Sequence, residues 1–129
     1  MSPPFVVLFE TFSWKSPDGK TSGTFDVTRM LRDIEMRQLS FDNIMTQLDK
    51  NFAETWVAKR DINMEYCIQM SLKRRNTPVL GVWMPDGSVL LIDGSHRYMS
   101  RFLFDEPTVE YNIVRYPLWR PYAKIRGKL

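Results

Sequence analysis

A single cysteine and a single histidine in 129 residues set the first limits on this chain. Cys67 has no partner for an internal disulfide and falls within an apolar helical pattern. It is expected to serve packing in a reducing, cytoplasmic setting. One Cys and one His also cannot furnish the ligand set of a structural zinc site. Long apolar runs are missing: the longest, Phe5 to Phe9, falls far short of the roughly 20 residues of a membrane span. Pro3-Pro4 stands where a secretory signal would carry a basic n-region, so no such signal is expected. There are no internal repeats and no low-complexity linker. The eight methionines are scattered at core-like positions and form no cofactor box.

What is present fits one compact soluble domain over residues 1–129, with 43% hydrophobic and 26% charged residues. The net charge of +3 is unevenly placed. Lys73-Arg74-Arg75 forms one cluster. Arg115, Arg120, Lys124, Arg126 and Lys128 form another, with Tyr116, Trp119 and Tyr122 between them. A basic segment interleaved with aromatics can follow a nucleic-acid backbone while stacking bases. The alternative, preferred for a single domain, is a tail whose aromatics pack back on the core.

In chain order, Phe5 to Phe9 reads as a buried strand continuing through Glu10 to Trp14. Ser16-Pro17-Asp18-Gly19 signals a turn, and Thr21 to Asp26 returns as the second arm of a hairpin. Val27, Met30, Leu31 and Ile34 recur with helical spacing behind Asp26 as cap. Ser40 is expected to open a short helix presenting Ile44, Met45 and Leu48, and Thr55 to Ala58 a short strand. Asp61 then caps a helix through about Lys73 that buries Ile62, Tyr66 and Met70. From Pro117 the tail is expected to be extended or lightly helical.

The most informative stretch is Leu90 to Tyr98. An apolar strand is broken by Asp93-Gly94, and Ser95 is placed to cap a helix whose buried face carries Tyr98, Met99, Phe102 and Leu103. A strand, a Gly turn and a helix start bearing Ser95, His96 and Arg97 make an anion site: free N–H groups and the positive end of the dipole face one spot. Arg97 adds a cationic fork suited to phosphate or carboxylate. An ordinary strand-to-helix turn with solvated side chains is the competing reading.

Asp93-Gly94-Ser95-His96-Arg97 resembles the D-G-x-H-R box of the ParB/sulfiredoxin superfamily. Pro78 to Met84 is similar to the strand before that box, Pro85-Asp86-Gly87 to its hairpin turn, and Thr108 to Val114 to its closing strand. The resemblance is strongest over residues 61–114 and implies an α+β fold with a small mixed sheet and helices. It implies a nucleotide, ATP or CTP, held by its phosphates at Gly94, Ser95, His96 and Arg97, with Mg²⁺ as a further expectation. Asp93 is either a turn residue or a carboxylate on the metal side. His96 is suited to phosphate contact or acid/base work. Similar kinases place a catalytic carboxylate on the N-terminal side, where Glu10 is the candidate and Glu35 and Glu54 stand behind it. Sulfiredoxin chemistry needs a Cys where Ser95 stands, which excludes the reductase. Two classes stay open: a small NTPase or phosphotransferase, and a non-catalytic accessory module, of the kind phages or plasmids encode, binding nucleotide, nucleic acid or a partner protein. A ParB-like nuclease ranks lower, because only Asp93 is anchored by a motif.

Overall fold

The computed structural model describes residues 10–129, and the strand expected over Phe5–Phe9 lies outside them. The fold is α+β, with two small sheets. The chain divides into two units, one formed by Met1–Ser40 with Tyr116–Leu129 and the other by Phe41–Arg115.

In the first unit, β1 (Thr11–Lys15) and β2 (Ser22–Asp26) form the expected hairpin. The Asp18 carboxylate holds its turn by accepting from Ser16 Oγ (2.6 Å) and the Lys20 N–H (2.9 Å). Asp26 caps α1 (Val27–Glu35) by accepting from the Arg29 N–H at 3.0 Å. Val27 and Met30 are buried, but Leu31 is exposed and Asp33 takes a buried place instead. Asp33 is tolerated there because the Tyr122 hydroxyl donates to it at 2.6 Å. The C-terminal segment is folded: a 3₁₀ turn (Arg120–Tyr122) leads into β7 (Ala123–Arg126), which pairs antiparallel with β2. Trp119 is fully buried against Phe25, ring centroids 5.2 Å apart. Of the tail's aromatics Trp119 therefore packs inward and Tyr122 is half-buried, while Tyr116 is exposed.

The second unit holds a four-stranded mixed sheet of β3 (Asp42–Gln47), β4 (Val79–Trp83), β5 (Val89–Asp93) and β6 (Thr108–Val114). The order is β3-β6-β4-β5, with β4 and β6 parallel and the other pairs antiparallel. Its helices are α2 (Lys50–Phe52), continued by a π-helical turn (Ala53–Val57), then α3 (Met64–Gln69), α4 (Leu72–Arg75) and α5 (Ser95–Leu103). They share a core with the sheet in which Ala53, Val57, Cys67, Val79, Leu91 and Met99 are at most 1% exposed.

Several expectations are corrected here. Residues 42–47 form a strand and not a helix. Ile44 and Thr46 face one way at period two, and Asn43 Nδ2 bonds Glu110 and Asn112 across the pair. Residues 53–57 are helical and not extended, because Asp49 caps the preceding turn through the Phe52 N–H at 3.0 Å and carries Ala53 and Val57 inward. The long helix expected from Asp61 is two short ones. Asn63 caps α3, Met70 leaves the helical region at ψ 134°, and Ser71 caps α4. Tyr66 and Leu72 are consequently exposed.

Candidate functional site

Gly94 sits at the junction of β5 and α5 with φ +98°, a left-handed conformation that glycine adopts without strain. A Cβ there would lie 2.7 Å from Val79 Cγ1 and 2.9 Å from Val79 Cβ, so the turn is also sterically closed to side chains. Gly94, and not Ser95, occupies the N-cap position. Ser95 is the first helical residue, and no side chain caps α5. The Gly94 carbonyl accepts from the Tyr98 N–H at 2.8 Å to start the helix.

Each side chain of the box has a protein partner. Arg97 Nη2 donates to Asp93 Oδ2 at 3.0 Å across one helical turn, and Nη1 donates to the Pro78 carbonyl at 2.8 Å. The Arg97 side chain is only 11% exposed, so the cationic fork clamps the end of β5 to the start of β4. His96 Nε2 accepts from the Asn63 backbone N–H at 3.1 Å. Nε2 thus serves as an acceptor here and leaves Nδ1 as the donor. Tyr66 meets the imidazole edge-on at 5.5 Å, and its hydroxyl accepts from Arg74 Nε at 2.9 Å.

Arg60, for which the sequence offered no signal, completes the site. Its Nη1 donates to Ser95 Oγ and to the Leu91 carbonyl, both at 2.9 Å. Burial lowers its pKa, but an arginine so shifted stays charged at neutral pH. Asp93 and Arg97 pair with one another, and Arg60 brings a second guanidinium to the turn. Nothing in the spacing could have found it, since it lies 35 residues before Ser95.

Glu10 belongs to the other unit. Its main chain buttresses the start of α1, accepting from the Val27 N–H at 3.0 Å and donating to Thr28 Oγ1 at 2.6 Å. Glu35, at the end of α1, belongs to that unit too, and Glu54 lies exposed in the π-helical turn. Of the basic candidates, Arg115 is held by both Asp42 oxygens at 2.8 and 3.1 Å. Arg120 Nη1 donates to the Ala123 carbonyl at 3.0 Å. Lys124 and Arg126 do come together: they share a face of the first unit's sheet, beside Thr24 and Ser22 respectively.

No protein-family model matches the chain, and no curated protein or solved structure matches it either.

The donor set at the turn suits a phosphate: a glycine cradle and the backbone N–H groups of a helix start. Among the described residues no group of three or more His, Cys, Asp or Glu side chains is placed to hold a metal ion, and Asp93 is already paired with Arg97. No helix among the described residues is long and apolar enough to cross a membrane.

Proposed function

We propose that the second unit is a phosphate-binding module that takes a nucleotide, ATP or CTP, by its phosphates at Gly94–Arg97. One observation carries this reading. Asp26, Asp49, Asn63 and Ser71 each cap a helix by accepting a first-turn N–H, whereas α5 begins at a left-handed glycine with no side-chain cap and no acidic residue in its first turn. Its Ser95 and His96 N–H groups have no partner among the described residues, and an anion would satisfy both. The module binds without turnover. Asp93 is neutralised by Arg97 and His96 Nε2 is committed to Asn63, which leaves neither as a free base.

The test is a titration at low salt with ATP, CTP, tripolyphosphate and adenosine, followed through backbone amide signals. The phosphates should move the Ser95 and His96 amides and adenosine should not. Unmoved Ser95 and His96 amides at millimolar tripolyphosphate would dismiss the reading.

A second reading is favoured by the register of the first sheet, which aligns Lys15, Ser22 and Arg126 in one row and Ser13, Thr24 and Lys124 in the next. Three cations and four hydroxyls, with one carboxylate (Asp26, opposite Thr11), lie on this face, and the excess of cations suits a nucleic-acid backbone. Arg126→Glu with Lys124→Glu should then abolish binding to single-stranded DNA, and equal binding by that variant would end this reading.

A further inference from the structure

The second unit contains a cavity of about 300 Å³, at the lower bound of the roughly 300–1,000 Å³ that small-ligand sites span. Four aromatic side chains line it: Phe52, Trp83, Tyr98 and Tyr111. The Phe52 and Tyr98 rings meet at 79° with centroids 5.4 Å apart, and Tyr98 and Tyr111 at 67° and 6.4 Å, so the walls stand at steep angles to one another. Gly81 makes the room for this arrangement. It lies on β4, which is buried on both faces, and a Cβ there would come within 3.0 Å of Val89 and 3.1 Å of the Tyr111 ring.

The charge of the lining is one-sided. Among the described residues no lysine, arginine or histidine lines the cavity, although the chain as a whole carries a net charge of +3. Asp49 is the one charged residue of the lining among them. The Asp49 Oδ1 is fixed by the Phe52 N–H at 3.0 Å, and its backbone N–H donates to the Tyr98 hydroxyl at 3.0 Å. The second carboxylate oxygen accepts no hydrogen bond among the described residues. The Tyr111 hydroxyl likewise has no hydrogen-bond partner among them, in a residue only 8% exposed. Burial pushes that phenol well above its usual range, so it stays neutral. Arg60 lies outside the lining and donates to the Leu91 carbonyl and Ser95, though its charge is felt at Tyr111.

We infer that this cavity is a binding site for a small quaternary ammonium cation, held by the aromatic walls around Trp83 and Tyr111 with Asp49 at its rim. The negative faces of aromatic rings attract a cation that is too weakly hydrated to hold its water, and a single carboxylate adds long-range selectivity for positive charge. A neutral apolar molecule of the same shape would gain the burial but not the attraction.

The test is calorimetric titration of the full-length protein with choline, tetramethylammonium and 3,3-dimethylbutan-1-ol, the uncharged isostere of choline. Both cations should bind and the isostere should bind at least roughly tenfold more weakly. Trp83→Leu should weaken choline binding about tenfold, and Trp83→Phe, which restores an aromatic face, by much less. Asp49→Asn keeps the helix cap and should cost roughly three- to tenfold. Tyr111→Phe keeps the ring and should leave choline within about threefold. A peptide bearing trimethyllysine binding more tightly than choline would identify a protein side chain as the source, and weaker binding a free cation. Equal affinity for the isostere, or no heat with choline at millimolar concentration in protein whose circular dichroism is native, would overturn the inference. So would unchanged choline binding by a folded Trp83→Leu protein.

Discussion

Replacing Gly94 by alanine separates the two reasons a glycine stands in the box. The left-handed backbone, φ +98°, costs an L-residue about 1–2 kcal/mol. The new methyl would also sit 2.7 and 2.9 Å from Val79, a core residue 1% exposed that has nowhere to retreat, and overpacking of this kind costs about 1–3 kcal/mol. Together the change should destabilise the second unit by about 2–5 kcal/mol, a large share of the roughly 5–15 kcal/mol of a typical domain. Gly87→Ala supplies the control. Its φ is +88°, yet nothing lies within 4 Å of the added Cβ, so only the backbone cost of about 1–2 kcal/mol applies. The measurement is urea unfolding followed through resolved amide signals of β4 and β6, which report this unit directly. Equal destabilisation by the two variants, within about 0.5 kcal/mol, would show that Val79 does not close the turn and would refute the steric part of the argument.

Other consequences follow from buried polar groups and the backbone. Arg101 donates to the Thr108 carbonyl at 2.6 Å and to Asn76 at 2.7 Å; a lysine cannot reach both, so Arg101→Lys should cost about 2–3 kcal/mol in the same unfolding experiment. Asp33 is held below the usual carboxyl range, first by the Tyr122 hydroxyl and also by Arg32. The stability it adds is full above the unfolded carboxyl value of about 3.9 and is lost as pH falls through the lower folded value. Tyr122 is pushed up, chiefly by burial and then by Asp33, so its contribution is full below about pH 10 and is lost as pH rises through its higher folded value. Melting temperature against pH should therefore have a shallower alkaline limb in Tyr122→Phe, the part due to Tyr98 and Tyr111 remaining, and keep part of the acid one, and a profile identical to the parent's would refute the pairing. Cys67 is fully buried and burial raises its pKa, so a thiol reagent should modify it in urea but not in the native protein. Arg37 follows α1 at φ 59°, and Arg37→Gly should raise the first unit's stability by about 0.5–1 kcal/mol in thermal unfolding.

The sequence was most legible where local chemistry and tertiary context agreed. Ser16 to Gly19 made its turn, Asp26 made its cap, and the strand, glycine and helix around Gly94 fell in order, because each is decided within four or five residues. It was least legible over 40–73. Ile44 and Met45 allowed a helical face as readily as a strand face, and only pairing with β6 decides between them. The 53–57 stretch held a Thr-Trp-Val run of strand-forming residues, but Asp49, four residues upstream, had already nucleated a helix. The box fell on its strand-to-helix turn, with Gly94 and not Ser95 at the cap, and the partners Arg60, Asn63 and Pro78 come from distant segments with no spacing rule to reveal them. The cavity was illegible for the same reason. Phe52, Trp83, Tyr98 and Tyr111 come from four separate elements, and Gly81 reads from sequence as nothing more than a weak point in a strand.

Three arginines near α5 carry a common lesson about charge and function. Arg60, Arg97 and Arg101 each donate to a main-chain carbonyl, of Leu91, Pro78 and Thr108 respectively. Leu91 lies on the edge strand β5, and Pro78 and Thr108 stand at strand beginnings, where the ladder leaves carbonyls without a neighbour. A planar guanidinium with several donors can satisfy such a carbonyl and a side chain at once, which lysine cannot do. An arginine beside a phosphate-like turn is therefore weak evidence of a phosphate, because the sheet itself needs the cation there. Deleting Arg97 would loosen β4 from β5 whatever the turn binds, so lost affinity in that variant would say nothing about contact. The groups that discriminate are the ones the fold does not use, the Ser95 and His96 N–H of an uncapped helix. Those amides, and not the arginines, are where an anion must register.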